Sequence, residues 1–170
     1  EPVYFTYQFN SESKEYFLDS GSVLAGLCLP VENAENILDM CAAPGGKTLV
    51  IAKNMNENAR LTSNEYSKDR YIRLKNVIEE HLPEDVASRI KPTCFDGATW
   101  CKYNGEIYDA VLLDAPCSSE RHALNDEKYL AQWTPSRVKS LAIKQWSLLS
   151  SGFRVLKQDG YLLYSTCALA

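Results

Sequence analysis

The sequence predicts an α/β protein built on a mostly parallel, doubly wound sheet. Short apolar runs alternate with segments of helical periodicity along the 170 residues, and this alternation is typical of repeated β-α units. Two of the runs, Tyr108 to Leu113 and Tyr161 to Ser165, are continuous, as strands buried on both faces require. In such a fold, helices cover both faces and ligands bind at the carboxyl ends of the strands.

The first predicted β-α unit contains a pair of glycines. Residues Ile37 to Met40 form a short apolar run that leads into the turn Pro44-Gly45-Gly46. A helix from Lys47 to about Asn54 follows this turn.

The second unit has the same order of elements. Arg60 to Glu65 is the predicted strand, and Ser67 is suited to cap a helix from Lys68 to about His81. Ile90 to Phe95 is the third strand. One face of the helix carries Tyr71, Leu74 and Ile78.

A long helix precedes the last predicted strand. Thr134 is suited to cap this helix, and Pro135 to occupy its first position. The segment from Ala115 to Trp133 leads into it as a loop over the crevice, and loops of that length are commonly functional. The predicted apolar stripe of the helix comprises Val138, Leu141, Ala142, Leu148, Leu149 and Phe153.

Composition excludes several classes of protein. The length fits one domain, which we assign to residues 1–170. No apolar run approaches the ~20 residues of a membrane span, and the polar start is unlike a signal peptide, so no membrane partner is expected. The sequence has two histidines, His81 and His122, and no CxxC pair, so no metal site is expected. The six cysteines lack the spacing of a disulfide scaffold, which favours a reducing compartment such as the cytoplasm.

The net charge of −4 argues against a protein that binds nucleic acid over its whole surface. RNA would have to meet a local basic patch, although charged residues on helices more often form a solvated face. The candidate patches are Lys68, Arg70, Arg73 and Lys75 on one segment and Arg137, Lys139 and Lys144 on another.

Residues 41–48 read Cys-Ala-Ala-Pro-Gly-Gly-Lys-Thr and form a glycine-containing loop. A phosphate-binding loop of the GxxxxGK[ST] type would need glycine in place of Cys41, and no GxGxxG motif is present. Nucleoside triphosphates and NAD are therefore not expected. The two glycines would let the backbone approach a ligand, but an ordinary β-α turn explains them equally well.

Acidic residues follow the next two strands. The carboxylate of Glu65 could accept hydrogen bonds from both hydroxyls of a ribose, and that of Asp96 could reach an adenine amino group. Each could instead be a solvated loop carboxylate.

Two cysteines end strand-like runs, in Asp114-Ala115-Pro116-Cys117 and in Tyr164-Ser165-Thr166-Cys167. A thiolate can add to an electron-poor ring carbon, and a second thiol can assist the reverse elimination. The alternative for each is a small buried hydrophobic residue.

The glycine loop and the two cysteine motifs together resemble the Sun family of RNA cytosine-5 methyltransferases, from about Tyr16 to the last residue. The resemblance implies a Rossmann-like fold that uses S-adenosylmethionine and continues through another helix and two strands, so the chain is expected to be truncated after its fifth strand. Glu65 with Arg70 five places later, and Asp96 in Phe95-Asp96-Gly97, match the family pattern. The implied cofactor-binding residues are Cys41, Ala42, Ala43, Pro44, Gly45, Gly46, Lys47, Glu65, Arg70, Asp96 and Asp114.

The resemblance also assigns catalytic roles. Cys167 would attack carbon-6 of cytosine, Asp114 would donate a proton to ring nitrogen-3, and Cys117 would assist release. For Asp114 to donate, its pKa would have to be raised in a water-poor crevice. Lys47 would lower a thiol pKa or contact the substrate, unless it is only the first surface residue of its helix.

The residues after Cys117 differ from those of many family members. Ser119-Glu120-Arg121-His122 stands where Gly-Thr-Gly is common, and this resembles the mitochondrial branch that modifies ribosomal or transfer RNA. Arg121 and His122 could contact phosphate or the target base, or be solvated. RNA is therefore the expected partner, the mitochondrial matrix is an alternative location, and a protein partner could supply RNA specificity.

Three other functions stay open. An enzyme that methylates exocyclic amino groups would carry an Asn/Asp-Pro-Pro-aromatic turn, whereas this chain has a thiol there. A DNA cytosine-5 methyltransferase would use Cys117 as the nucleophile and leave Cys167 without a role. A noncatalytic RNA-binding or assembly subunit would not need both thiols.

Overall fold

The computed structural model describes residues 3–117 and 134–167. Residues 118–133, with Arg121, His122 and most of the predicted Ala115–Trp133 segment, lie outside the description. An antiparallel hairpin of β1 (Tyr4–Tyr7) and β2 (Tyr16–Asp19) precedes a five-stranded parallel sheet. The strands of this sheet are β3 (Asn36–Asp39), β4 (Arg60–Asn64), β5 (Ile90–Thr93), β6 (Tyr108–Asp114) and β7 (Leu156–Ser165).

The helices alternate with these strands as predicted. They are α1 (Ser20–Cys28), α2 (Gly46–Asn54), α3 (Lys68–His81), the short α4 (Glu84–Ala87), a 3₁₀ helix (Gly97–Lys102) and α5 (Pro135–Val155). Thr134 caps α5 by accepting a hydrogen bond from Arg137 N at 3.2 Å. In the part of the chain that the structure describes, no helix is both long and apolar enough to span a membrane.

The order of the strands in the sheet is β5-β4-β3-β6-β7, and every neighbouring pair is parallel. The order along the chain therefore reverses between β3 and β6, and such a switch point opens a crevice at the carboxyl ends of the strands. The predicted α/β class is confirmed.

Hydrophobic clusters cover both faces of the sheet because successive strand residues point to opposite sides. Ile37 and Leu112 pack with α2 and α3 in one cluster. Leu38 and Val111 pack with α5 and the 3₁₀ helix in the other. The run from Tyr108 to Leu113 is therefore buried on both faces, as predicted. The same prediction is wrong for Tyr161 to Ser165, because β7 is an edge strand in which Tyr161 and Tyr164 are exposed.

The predicted stripe of α5 is only partly correct. Phe153, placed on the buried stripe, is 70% exposed, and Ala142 is also exposed. The buried positions include Ser151 and Gly152, and a Cβ added at Gly152 would lie 2.9 Å from Met40 Sδ. The helix thus approaches the sheet through its small residues, a feature that apolar periodicity does not detect.

The hairpin and α1 had no counterpart in the sequence-based prediction. Tyr7 Oη donates a hydrogen bond to Leu49 O at 2.7 Å, which ties the hairpin to α2. Leu18 of β2 is buried and occupies the space that a side chain at Gly46 would need.

Candidate active site

The carboxyl ends of the parallel strands meet around one crevice. Met40 follows β3, Asn64 ends β4, and α5 contributes Lys144 and Leu148 to the wall. Of the predicted site residues, those that line the crevice are Cys41, Glu65, Arg70, Asp96, Asp114, Cys117 and Cys167. Residues from six separate segments are therefore brought together by the parallel topology.

The rest of the predicted cofactor loop is packed more tightly than expected. Ala42 and Ala43 belong to the hydrophobic core, whereas Pro44 is exposed. Gly45 has a φ of +121°, and a Cβ there would lie 2.8 Å from Val77 Cγ1 of α3. Packing therefore leaves no room for a side chain at either glycine, because α3 lies against Gly45 and β2 lies against Gly46. This holds in addition to any role of the glycines in ligand approach.

Glu65 is buried at the end of β4 and holds the turn that follows. Its Oε1 accepts a hydrogen bond from Ser67 N at 2.9 Å. Its Oε2 lies 3.3 Å from Arg70 Nη1 and accepts no hydrogen bond within the described residues. Arg70 Nη2 donates to Ala43 O at 2.7 Å, so this arginine joins Glu65 to the glycine loop. Glu65 Oε2 keeps acceptor capacity for a ligand hydroxyl.

Asn64 was missed in the sequence and connects three strand ends. Its Nδ2 donates to Met40 O at 3.1 Å and to Phe95 O at 2.9 Å. Its Oδ1 accepts from Thr93 Oγ1 and from Phe95 N. An asparagine near the end of a predicted buried strand could have indicated this role, because a buried amide must have its hydrogen bonds satisfied by neighbouring groups.

Asp96 begins the 3₁₀ helix, and its Oδ1 accepts a hydrogen bond from Ala98 N at 3.1 Å. Also in the lining of the crevice, Lys144 Nζ lies 4.9 Å from the centroid of the Tyr66 ring. This cation-π pair was also missed, because nothing in the sequence relates the residue after Glu65 to α5.

Both carboxylate oxygens of Asp114 have a partner, one an ion pair and the other a hydrogen bond. Lys47 Nζ lies 2.8 Å from Oδ2, and Ser165 Oγ donates to Oδ1 at 2.7 Å. The hydrogen bond that Lys47 donates goes to Ser22 Oγ, at 3.2 Å. Lys47 is therefore a partner of Asp114 and not simply a surface residue at the start of its helix. Its side chain is 19% exposed.

Two further groups near this pair have raised pKa values. Burial raises the pKa of Asp39 to about 7, and the charge of Asp114 adds to the shift, although Thr48 Oγ1 donates to Asp39 Oδ2 at 2.8 Å. Burial, followed by the charges of Asp39, Glu65 and Asp114, raises the pKa of the Cys41 thiol to about 12. Cys41 is therefore poorly suited to be a nucleophile.

Cys117 and Cys167 are joined by a disulfide, with their Cα atoms 6.2 Å apart and 50 positions between them in the sequence. This pair differs from the reduced cysteines that the spacing of the six cysteines predicts. The two residues meet because β6 and β7 are neighbours, and Ala115 N donates to Ser165 O at 2.8 Å just beyond the paired strands. Cys28, Cys41, Cys94 and Cys101 are free thiols.

The basic segments are mostly solvated. Lys68, Arg73, Arg137 and Lys139 are exposed, and Lys75 lies 3.9 Å from Glu79 on its own helix. Arg70 and Lys144 line the crevice. Within residues 3–117 and 134–167, no group of three or more His, Cys, Asp or Glu side chains is arranged to hold a metal ion.

Comparison with known proteins identifies the family to which this arrangement belongs. The family model for the 16S rRNA methyltransferases RsmB/F matches residues 26–170. The 5-cytosine rRNA methyltransferase NSUN4 of Bos taurus is 37% identical over 160 residues, which are 91% of this chain and 41% of that protein. Ribosomal RNA small subunit methyltransferase F of Shewanella loihica is 38% identical over 159 residues, which are 91% of this chain and 32% of that protein.

A solved structure supports the same assignment. The crystal structure of NSun6 from Pyrococcus horikoshii with SFG, an S-adenosylmethionine analogue, has a TM-score of 0.74 and 28% identity, covering 91% of this chain and 39% of that one. The Rossmann-like methyltransferase fold is thereby confirmed. The chain spans about two fifths or less of the length of these relatives. With the crevice, the cysteine pair and the family match in agreement, the chain belongs to the 16S rRNA methyltransferase RsmB/F family.

Proposed function

We propose that residues 1–170 act as one catalytic methyltransferase unit that methylates carbon-5 of cytosine in ribosomal or transfer RNA. The observation that carries this proposal is the meeting of Cys117 and Cys167 beside the Asp114–Lys47 pair at the edge of the crevice. The names of the relatives, which are rRNA cytosine-5 methyltransferases, support RNA as the substrate.

The crevice suits S-adenosylmethionine. Glu65 Oε2 is a buried acceptor without a hydrogen-bond partner in the described residues and could bind ribose hydroxyls. Asp96 is the candidate partner of the adenine amino group, and Arg70 holds the glycine loop. When bound, this cofactor supplies the electrophilic methyl group.

Two groups of the protein activate the pyrimidine ring. Carbon-5 of cytosine is a weak nucleophile until a thiolate adds to carbon-6, and this addition needs a proton donor or hydrogen bond at ring nitrogen-3. We assign the attack to Cys167. Because Asp114 forms an ion pair with Lys47 through Oδ2 and accepts a hydrogen bond from Ser165 at Oδ1, we assign the proton directed at nitrogen-3 to the Lys47 ammonium, relayed through Asp114.

Release reverses the first step. After carbon-5 has gained the methyl group, a solvent base takes its proton, the electron pair of that C–H bond forms the double bond between carbon-5 and carbon-6, and Cys167 Sγ leaves carbon-6 as a thiolate. Cys117, which lies next to Cys167, is assigned to assist this elimination. Both steps need free thiols, since a disulfide sulfur offers no thiolate. The reaction therefore belongs to the reduced protein.

Single substitutions separate the two thiols. The Cys117→Ala variant should attack and methylate RNA but remain bonded to it, and should appear as a protein-RNA species on a denaturing gel. The Cys167→Ala variant should lose turnover and form no adduct, and the double variant should lose the adduct as well. Cys28→Ala, which changes an exposed free thiol on α1, is the matched control and should behave as the parent.

The same gel contains the contradicting results. An adduct formed by Cys167→Ala would reverse the two roles and favour the chemistry of DNA cytosine-5 methyltransferases. Turnover that survives both single substitutions would mean that the cysteines are structural. Parallel assays with matched DNA, and with ribosomal and transfer RNA, identify the substrate.

A further inference from the structure

A glutamine of α5 holds the backbone directly before Cys117. Gln145 is half-buried, and it lies on the same helix face as Leu141 and the buried Leu148. Its Nε2 donates a hydrogen bond to Pro116 O at 2.8 Å. A polar side chain on a face that packs on the sheet lowers stability unless its hydrogen bonds are made. The contact with Pro116 therefore accounts for an amide at this position.

The segment from Asp114 to Cys117 is held at successive residues. Asp114 is bound through its side chain by Lys47 and Ser165, and the N–H of Ala115 is bound by β7. Pro116 has no N–H, so its carbonyl is the backbone group through which this residue can be anchored. Gln145 supplies that anchor.

The hydrogen bond from Gln145 to Pro116 O fixes the orientation of the peptide that leads into Cys117. The Pro116 carbonyl and the Cys117 N–H belong to one planar peptide unit, and the proline ring restricts φ on the other side. Fixing the carbonyl oxygen therefore fixes the plane from which Cys117 Cα starts. Cys167, in contrast, follows the end of β7. Its position does not depend on the hydrogen bond from Gln145.

We propose that Gln145 is a positioning residue for the release step, holding the Pro116–Cys117 peptide so that the Cys117 thiol stays beside Cys167. The inference rests on the proposed function, because it adds to the role given there to Cys117. Without the donor, the Pro116 carbonyl takes water as its partner and the peptide plane loses this restraint. Elimination then slows, while attack and methyl transfer by Cys167 continue.

The test compares three variants of the full chain on the same RNA. Gln145→Met keeps the length of the side chain and removes the donor, and Gln145→Glu keeps the shape but offers only acceptors at neutral pH. Leu141→Ala is the matched control, because it removes packing from the same face one turn earlier without touching the Pro116 carbonyl. For each variant, the single-turnover methylation rate, the steady-state rate and the adduct that survives denaturation are measured.

The expected result is a split between the two rates. In both Gln145 variants the steady-state rate should fall about fivefold to tenfold, which is the worth of one neutral hydrogen bond, and the methylated adduct should accumulate. Single-turnover methylation and cofactor affinity should stay within about twofold of the parent. Leu141→Ala should lower the melting temperature without accumulating adduct.

Two results would overturn the inference. One is a Gln145→Met or Gln145→Glu variant that slows single-turnover methylation as much as steady-state turnover, or resembles Leu141→Ala in every measurement. The other is unchanged turnover in both variants. Failure of the proposed function is recognised separately, because it would show as the absence of an adduct in Cys117→Ala, a variant in which Gln145 is intact.

Discussion

At the scale of single residues, Asp39 is a fully buried carboxyl at the end of β3 that interacts electrostatically with Asp114 and Lys47. Its Oδ1 accepts no hydrogen bond within the described residues. Burial raises its pKa to about 7 in the folded protein, against an ordinary value near 3.8. The free energy of unfolding therefore depends on pH through this carboxyl, which lies close to the candidate active site.

The sign of this linkage is opposite to that of a salt-bridged acid. Between pH ~4 and pH ~7 the unfolded chain has lost the Asp39 proton while the folded protein keeps it, so the free energy of unfolding falls as pH rises. Below and above that window the contribution is constant. The Asp39→Asn variant should be more stable than the parent by up to ~4 kcal/mol at pH 8, and by less at pH 5. Urea unfolding at pH 5 and at pH 8 measures the difference in free energy of unfolding between the variant and the parent. A difference that is the same at both pH values would contradict the raised pKa.

The proposed proton donor, Lys47, permits a second prediction at this scale. Lys47→Met removes the ammonium from Asp114 Oδ2 and should lower single-turnover methylation by about 10²-fold or more, as expected for loss of an acid catalyst. Lys47→Arg keeps a charge and should retain more activity. Calorimetry with S-adenosylmethionine is the control. A large loss of cofactor affinity with an unchanged methylation rate at saturation would assign Lys47 to cofactor binding instead.

At the scale of secondary-structure elements, α5 shows that the apolar residues of a helix need not define its buried face. Leu148 is buried, whereas Phe153 is 70% exposed. In the 170-residue chain, Leu148→Ala should destabilise by ~2–5 kcal/mol because it opens a cavity, and Phe153→Ala should change stability by no more than ~0.5 kcal/mol. Thermal or urea unfolding of both variants checks the orientation of the helix. Equal losses would mean that Phe153 packs against the rest of the chain.

At the scale of the whole molecule, the crevice at the switch point predicts the choice of cofactor. S-adenosylmethionine should bind, and ATP should not, because the loop lacks the glycine pattern that holds a triphosphate. Glu65→Ala should weaken binding by ~1.5–3 kcal/mol, the value of one hydrogen bond to a charged acceptor. Titration calorimetry with both ligands measures this. Binding of ATP without binding of S-adenosylmethionine would contradict the predicted choice of cofactor. An unchanged affinity for S-adenosylmethionine in Glu65→Ala would mean that Glu65 is only a structural carboxylate.

Local sequence patterns predicted the architecture, and they predicted which strand ends carry the candidate site residues. Continuous apolar runs, turn residues and helical periodicity depend on neighbours within a few positions, and they predicted the five strands of the sheet and α2, α3 and α5. Because all motifs follow strands, the parallel topology alone placed Glu65, Asp96, Asp114 and both cysteines at one edge.

The tertiary structure decided which groups are partners. The pairing of Lys47 with Asp114, the bonds of Asn64 and the contact of Gln145 with Pro116 each join residues 24 to 67 positions apart. Such pairs depend on how strands and helices are stacked, which local patterns do not contain. The same holds for the buried face of α5, where the small residues Ser151 and Gly152 decide how closely the helix approaches the sheet. Local sequence thus specified each element and its terminal residues, while packing between distant elements set the hydrogen bonds and charges of the site.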